Sequence, residues 1–123
     1  MLKWNQVGVI KGEFILINFS DDIINKNEEK VLLVNIVGIL EVLKRGKLSI
    51  NEAEKFPFSP YMINKLQKKQ CNMEIIDILE RGCELEDIAS LLPQSLEKNI
   101  IELEEKALEI IEKYPNFENK FWI

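Results

Sequence analysis

Apolar and polar positions alternate in two distinct ways along the chain. Gln6–Ile10 and Glu13–Phe19 are rich in Val, Ile and Phe, and Lys11-Gly12 between them supplies a residue that tolerates positive φ, which predicts a β-hairpin over 6–19. Phe14 and Leu16 fall on one face, Ile15, Ile17 and Phe19 on the other. Both faces are apolar, so each needs a cover. An isolated hairpin is marginal in water, and Lys120-Phe121-Trp122-Ile123 is the candidate third strand.

From residue 28 to residue 114 the pattern becomes helical. Ten of the thirteen positions from Val31 to Leu43 are apolar. Asn27 offers a cap, Glu28 and Glu29 suit the positive first turn, Lys44 and Arg45 suit the negative last turn, and Gly46 can close it. This run is too short to span a bilayer and predicts a central core helix over 28–45. Ser49-Ile50-Asn51-Glu52 reads as a capping box, and Ser59-Pro60 as a cap followed by proline at the first helical position. Asn72 caps Met73–Arg81, closed by Gly82; Leu85–Leu92 stops before Pro93; Ser95 opens the longest amphipathic helix, ended by Pro115. That last helix carries the seam Leu96, Ile100, Leu103, Ala107, Ile110 and Tyr114, with Glu102–Lys106 and Glu109–Lys113 as i,i+4 pairs on its wet side. The expected fold is one compact domain over 1–123, mainly α with five or six helices and an N-terminal β-hairpin. It divides into hairpin 6–19, helical body 28–114 and a short aromatic tail 115–123.

Charge changes this picture more than composition does. The chain has 123 residues and a net charge of −5, but residues 44–71 carry seven bases against two acids, and residues 72–112 carry twelve acids against three bases. An acidic half of this kind favours basic partners and repels nucleic acid. The competing reading is a set of solvated helix faces that keep the chain in solution. Histidine is absent, which excludes Ser-His-Asp and Cys-His nucleophiles and any His-containing metal site. Cys71 and Cys83 are too few for a zinc site and have no base to activate them, so they read as small buried hydrophobes. Val7–Phe19 is interrupted by Lys11 and Glu13 and lacks a cleavage site, so the chain is expected to be cytoplasmic with both thiols reduced. No phosphate loop, dinucleotide fingerprint or calcium loop occurs. The expectation is therefore no enzyme, no catalytic residue, no cofactor and no metal.

Two resemblances add to this reading. Gly82, Ile88-Ala89, Leu92 and Ser95 fall at the spacing found in the helix-turn-helix of bacterial response-regulator DNA-binding domains, which resembles the stretch 73–111. In that comparison Ser95–Glu105 would be the recognition helix, but it carries Glu97, Glu102, Glu104 and Glu105 beside Lys98 alone. A small, acidic, histidine-free chain rich in Ile, Asn, Lys and Glu is also similar to the immunity proteins of bacterial polymorphic-toxin systems, including contact-dependent growth inhibition. Phe58-Ser59-Pro60-Tyr61 and Gly82–Pro93 look like phrases of a small bacterial family without an assigned function, over most of Asn27–Leu108. The second resemblance implies a protein that binds a cognate toxin, often a basic nuclease, and blocks its active site. It transfers no functional residue.

Residues expected to meet such a partner are Glu84, Glu86, Asp87, Glu102, Glu105, Glu109 and Trp122. Three acids in one turn at 84–87 exceed what complementing a helix dipole requires. Trp4, Tyr61, Phe117, Phe121 and Trp122 are the candidate aromatic anchors. The alternative is a helix-turn-helix-derived transcriptional regulator or an adaptor, with the basic segment 44–69 contacting DNA.

Overall fold

A computed structural model describes residues 23–117. Within them lie six α-helices and one 3₁₀ turn. They are α1 (Lys26–Lys44), α2 (Ile50–Ala53), α3 (Pro60–Lys68), α4 (Met73–Gly82), α5 (Leu85–Leu91), the 3₁₀ turn (Pro93–Ser95) and α6 (Leu96–Ile111). No strand occurs among the described residues, and this corrects the expected mainly α class with an N-terminal β-hairpin to a helical one. The hairpin 6–19 and the candidate strand 120–123 lie outside the described residues. The physical reason for the correction is that the apolar seams of the described residues close on one another as packed helices. None leaves a backbone edge for a strand to pair with. No helix among the described residues is long and apolar enough to cross a membrane.

Caps set the boundaries. α1 starts at Lys26 because Asn25, not Asn27, is its cap: Glu28 N–H donates to Asn25 Oδ1 at 2.8 Å and Asn25 N–H donates to Glu28 Oε1 at 3.0 Å. The reciprocal pair needs a glutamate three residues after the cap, and only Asn25 has one at Glu28. The helix runs 19 residues and closes through Gly46 at φ +73°. It is therefore longer than α6, which spans 16. Ser49 and Glu52 form the expected capping box on α2. On α3, Met62 N–H donates to Ser59 Oγ at 3.1 Å behind Pro60. Asn72 Oδ1 accepts the Glu74 N–H of α4 at 2.8 Å. Ser95 makes no side-chain cap on α6; the preceding 3₁₀ turn bonds its N–H to Leu92 O at 2.8 Å instead.

The core is a layer between α1 and α6, closed by α3 and α4. Leu32, Leu33, Ile36, Leu40 and Leu43 of α1 pack with Ile100, Leu103, Ala107 and Ile110 of α6. Ile75, Ile76, Ile78 and Leu79 of α4 fill the other side, with Phe58, Met62 and Leu66 below them. A buried aliphatic side chain of this size contributes about 1.5–3 kcal/mol of transfer free energy. Gly82 is the last residue of α4 rather than a terminator beyond it. A Cβ there would enter the Phe58 ring, so close packing, not backbone conformation, selects the glycine. The α3–α4 turn ends in a Schellman arrangement, Cys71 N–H to Leu66 O and Gln70 N–H to Gln67 O, both at 3.0 Å. Gln70 takes the left-handed position at φ +60° that glycine usually fills.

Candidate partner-binding surface

The acids between residues 72 and 112 separate into two groups. Glu84 stands at the N-cap position of α5, with Glu86 and Asp87 in its first turn, and all three are exposed. The capping box that builds α2 brings Glu54 of its C-terminus against them, since α2 packs on α5. Partial burial first, and then the charges of Glu86 and Asp87, push the Glu54 carboxyl above its ordinary range. The Cys83 thiol is pushed up by burial and then by Glu54, Glu80 and Glu84. One corner of the molecule therefore gathers five carboxylates, from Glu54 to Asp87. No ion pair among the described residues neutralises any of the five. Glu54 was not legible as a member, because it lies some thirty positions upstream in a basic stretch and joins only through tertiary contact.

The second group lies on α6. Its buried positions, Ile100, Leu103, Ala107 and Ile110, turn Glu105 and Glu109 to solvent, and no described cation pairs with either. Glu102 lies 3.8 Å from Arg81 of α4 rather than against Lys106. Lys113 reaches Glu74 at 3.4 Å rather than Glu109. Arg81 takes Glu102 from one expected i,i+4 pair and Glu74 takes Lys113 from the other. Exposed pairs of this kind contribute about 1 kcal/mol or less. Trp122, Trp4 and Phe121 lie outside the described residues. Of the other aromatic candidates, Tyr61 is exposed with Lys65 Nζ 5.8 Å from its ring centre, and Phe117 is half-buried beneath Lys30 at 4.8 Å.

The basic segment offers fewer free charges than its composition promised. Lys44 and Arg45 both hold Glu41, at 3.0 and 2.8 Å, and Lys69 is buried. Lys47, Lys55 and Lys68 stay exposed.

A buried polar centre sits apart from both acidic groups. Glu29, in the first turns of α1, is 6 % exposed. Its Oε2 accepts the Asn72 backbone N–H at 2.7 Å, and its Oε1 accepts the Tyr114 hydroxyl at 2.9 Å. Asn72 Nδ2 donates to the same hydroxyl oxygen at 3.0 Å. Three elements distant in sequence thus meet on one carboxylate. Burial, and then the Glu29 charge, push the Cys71 thiol up to about 12, which keeps it protonated and without nucleophilic character at neutral pH. An open cleft of about 510 Å³ borders this centre, lined by Ile24, Asn25, Lys26, Glu29, Gln70 and Asn72. Both oxygens of Glu29 are already engaged by the protein, so the centre reads as a structural lock. No group of three or more metal-ligating side chains occurs among the described residues.

Residues 24–123 match the family described as protein of unknown function (DUF3969). No curated protein and no solved structure matches the chain.

Proposed function

The chain belongs to the DUF3969 family of proteins of unknown function, and we propose that it is a binding protein that docks and neutralises a basic protein, most simply a bacterial toxin domain, through its acidic surface. The observation that carries this reading is the corner formed by Glu54, Glu80, Glu84, Glu86 and Asp87, where no described cation pairs with any of the five and where burial, and then the neighbouring carboxylates, push Glu54 and Cys83 up. Uncompensated like charge costs the fold stability, and a partner with Lys or Arg relieves it on binding. Complementarity of this type steers encounter and sets the register of the complex. Glu105 and Glu109 extend the same sign of field on α6. In a helix-turn-helix pose, α6 would bring Glu97, Glu102 and Glu105 toward phosphates, so the same surface favours a basic protein over nucleic acid. The test is co-expression of the full chain with the product of the gene immediately upstream, followed by co-purification and a growth assay. A stable complex and restored growth support the reading. Free migration of both proteins with no protection refutes it.

A further inference from the structure

We propose that Leu91 and Leu92, at the C-terminal end of α5, are the apolar anchor of the acidic corner, and that the segment they grip is a basic helix of the partner. The inference rests on the reading of this corner as a docking surface for a basic protein, and it names the segment that docks. Leu91 is 76 % exposed and Leu92 52 %. Pro93 follows them at the surface, so three apolar side chains stand exposed in a row. Isolated surface leucines are ordinary, but a contiguous apolar patch rimmed by charge marks an interaction site. The corner is also ordered before anything binds. Leu92 N–H donates to Ile88 O and Leu92 O accepts the Ser95 N–H, both at 2.8 Å, and the ring of Pro93 fixes the backbone that follows. A partner therefore meets leucines on a backbone already held in place, which lowers the entropy lost on docking.

Charge identifies the partner. Between Arg81 and Lys98 the chain has no base, while Glu84, Glu86, Asp87 and Glu97 all lie in that stretch. Helical spacing puts Glu84, Asp87 and Leu91 on one face of α5, with Asp87 about 6 Å and Glu84 about 10 Å from Leu91 along the axis. All three are exposed, and no cation among the described residues pairs with either acid. The complementary ligand is a helix laid along α5, with an apolar residue opposite Leu91 and Lys or Arg four and seven positions away on the same side. A nucleic acid would meet only like charge there. The leucines supply contact that persists in salt, whereas the acids supply steering that salt screens.

The probe is an alanine-based helical peptide of about 20 residues with Leu and, four and seven positions away, Lys on one face. Titrated to about 1 mM into the full chain at low ionic strength, it should bind saturably and shift the amide resonances of α5 most. Leu91→Gln in the protein and Leu→Gln in the peptide should each weaken binding by about fivefold or more and leave its salt dependence unchanged. Together they should cost no more than either alone. The thermal midpoint of Leu91→Gln should match the parent, because the side chain lies in solvent. Equal binding by parent and Leu91→Gln overturns the proposal, as does the lack of saturable binding or a shift pattern centred on another element. A lowered thermal midpoint in Leu91→Gln overturns it too, since the side chain then packs within the chain. Co-purification with the upstream gene product separates this inference from the reading it rests on. A product captured equally by parent and Leu91→Gln keeps the docking function and removes the anchor. Peptide binding that needs Leu91, with no upstream product captured, keeps the anchor and removes the toxin partner.

Discussion

Glu29 shows how much one side chain can organise. Its position in the first turns of α1 would by itself account for a carboxylate, through the helix dipole. The fold gives it a larger task, because Asn72 and Tyr114 both donate to it in a place that water scarcely reaches. Tyr114→Phe removes the hydroxyl and leaves Glu29 Oε1 and Asn72 Nδ2 without that partner. A buried polar group left unsatisfied costs about 1–3 kcal/mol, so the thermal midpoint should fall by several degrees in a circular dichroism melt. Gly82→Ala makes an equally local test. Helix propensity favours alanine by about 1 kcal/mol. The added Cβ, however, collides with the Phe58 ring, which is 1 % exposed and cannot move aside. Overpacking of this kind costs about 1–3 kcal/mol, so the variant should unfold at lower urea than the parent despite its better propensity.

At the scale of elements, the α1–α6 contact holds a pair of carboxylates with opposite behaviour. Hydrogen bonds from Arg45, then from Lys44, hold Glu41 at a pKa of about 2. Glu104 is pushed up, first by burial and then by Glu41. Lys44 Nζ lies 3.5 Å from Glu104 Oε1, and that oxygen has no hydrogen-bond partner among the described residues. The stabilising effect of ionised Glu41 is fully present above the ordinary carboxylate value of 4.5 and is lost as pH falls towards 2. Glu104 has the reverse sign. Its folded form holds the proton more tightly than the unfolded chain does, so its ionisation penalises the fold above the raised pKa and the penalty vanishes below 4.5. Glu104→Gln should therefore raise the thermal midpoint at pH 7. Its advantage over the parent should shrink as the pH is lowered through the acidic range, in melts recorded at several pH values. A constant advantage at every pH would place the effect in packing rather than ionisation.

At the scale of the whole molecule, charge and stability pull in different directions. Replacing Glu84, Glu86 and Asp87 together with Gln relieves the repulsion around Glu54, so the melting temperature should hold or rise slightly. Association with a basic partner should slow, and the salt dependence of the rate should flatten, in stopped-flow or interferometry traces at low and high ionic strength. Early melting with unchanged association would make the cluster a structural element instead. The same reasoning explains why the acidic residues of α6 matter less to folding than their number implies. Arg81 and Lys113 are drawn to other helices, and Glu105 and Glu109 contribute field rather than contacts.

By itself the sequence determined the local features: the capping box of α2, the proline at the start of α3, the apolar run of α1 and the seam of α6, and the net sign of the C-terminal half. Each of these depends on caps, on helical periodicity along a single helix or on summed charge, all of which can be read along one stretch of chain. Even there the cap of α1 is Asn25 and not the expected Asn27, because only Asn25 stands three residues before a glutamate. Only the tertiary structure decided that Glu54 joins Glu86 and Asp87, that Glu29 meets Asn72 and Tyr114, and that Lys44 and Arg45 spend their charge on Glu41. It also decided that Gly82 answers to Phe58, whereas Gly38 answers to nothing among the described residues. Those pairings follow from how amphipathic helices stack to bury their seams, and a one-dimensional pattern holds the seam of each helix but not the partner on which it closes.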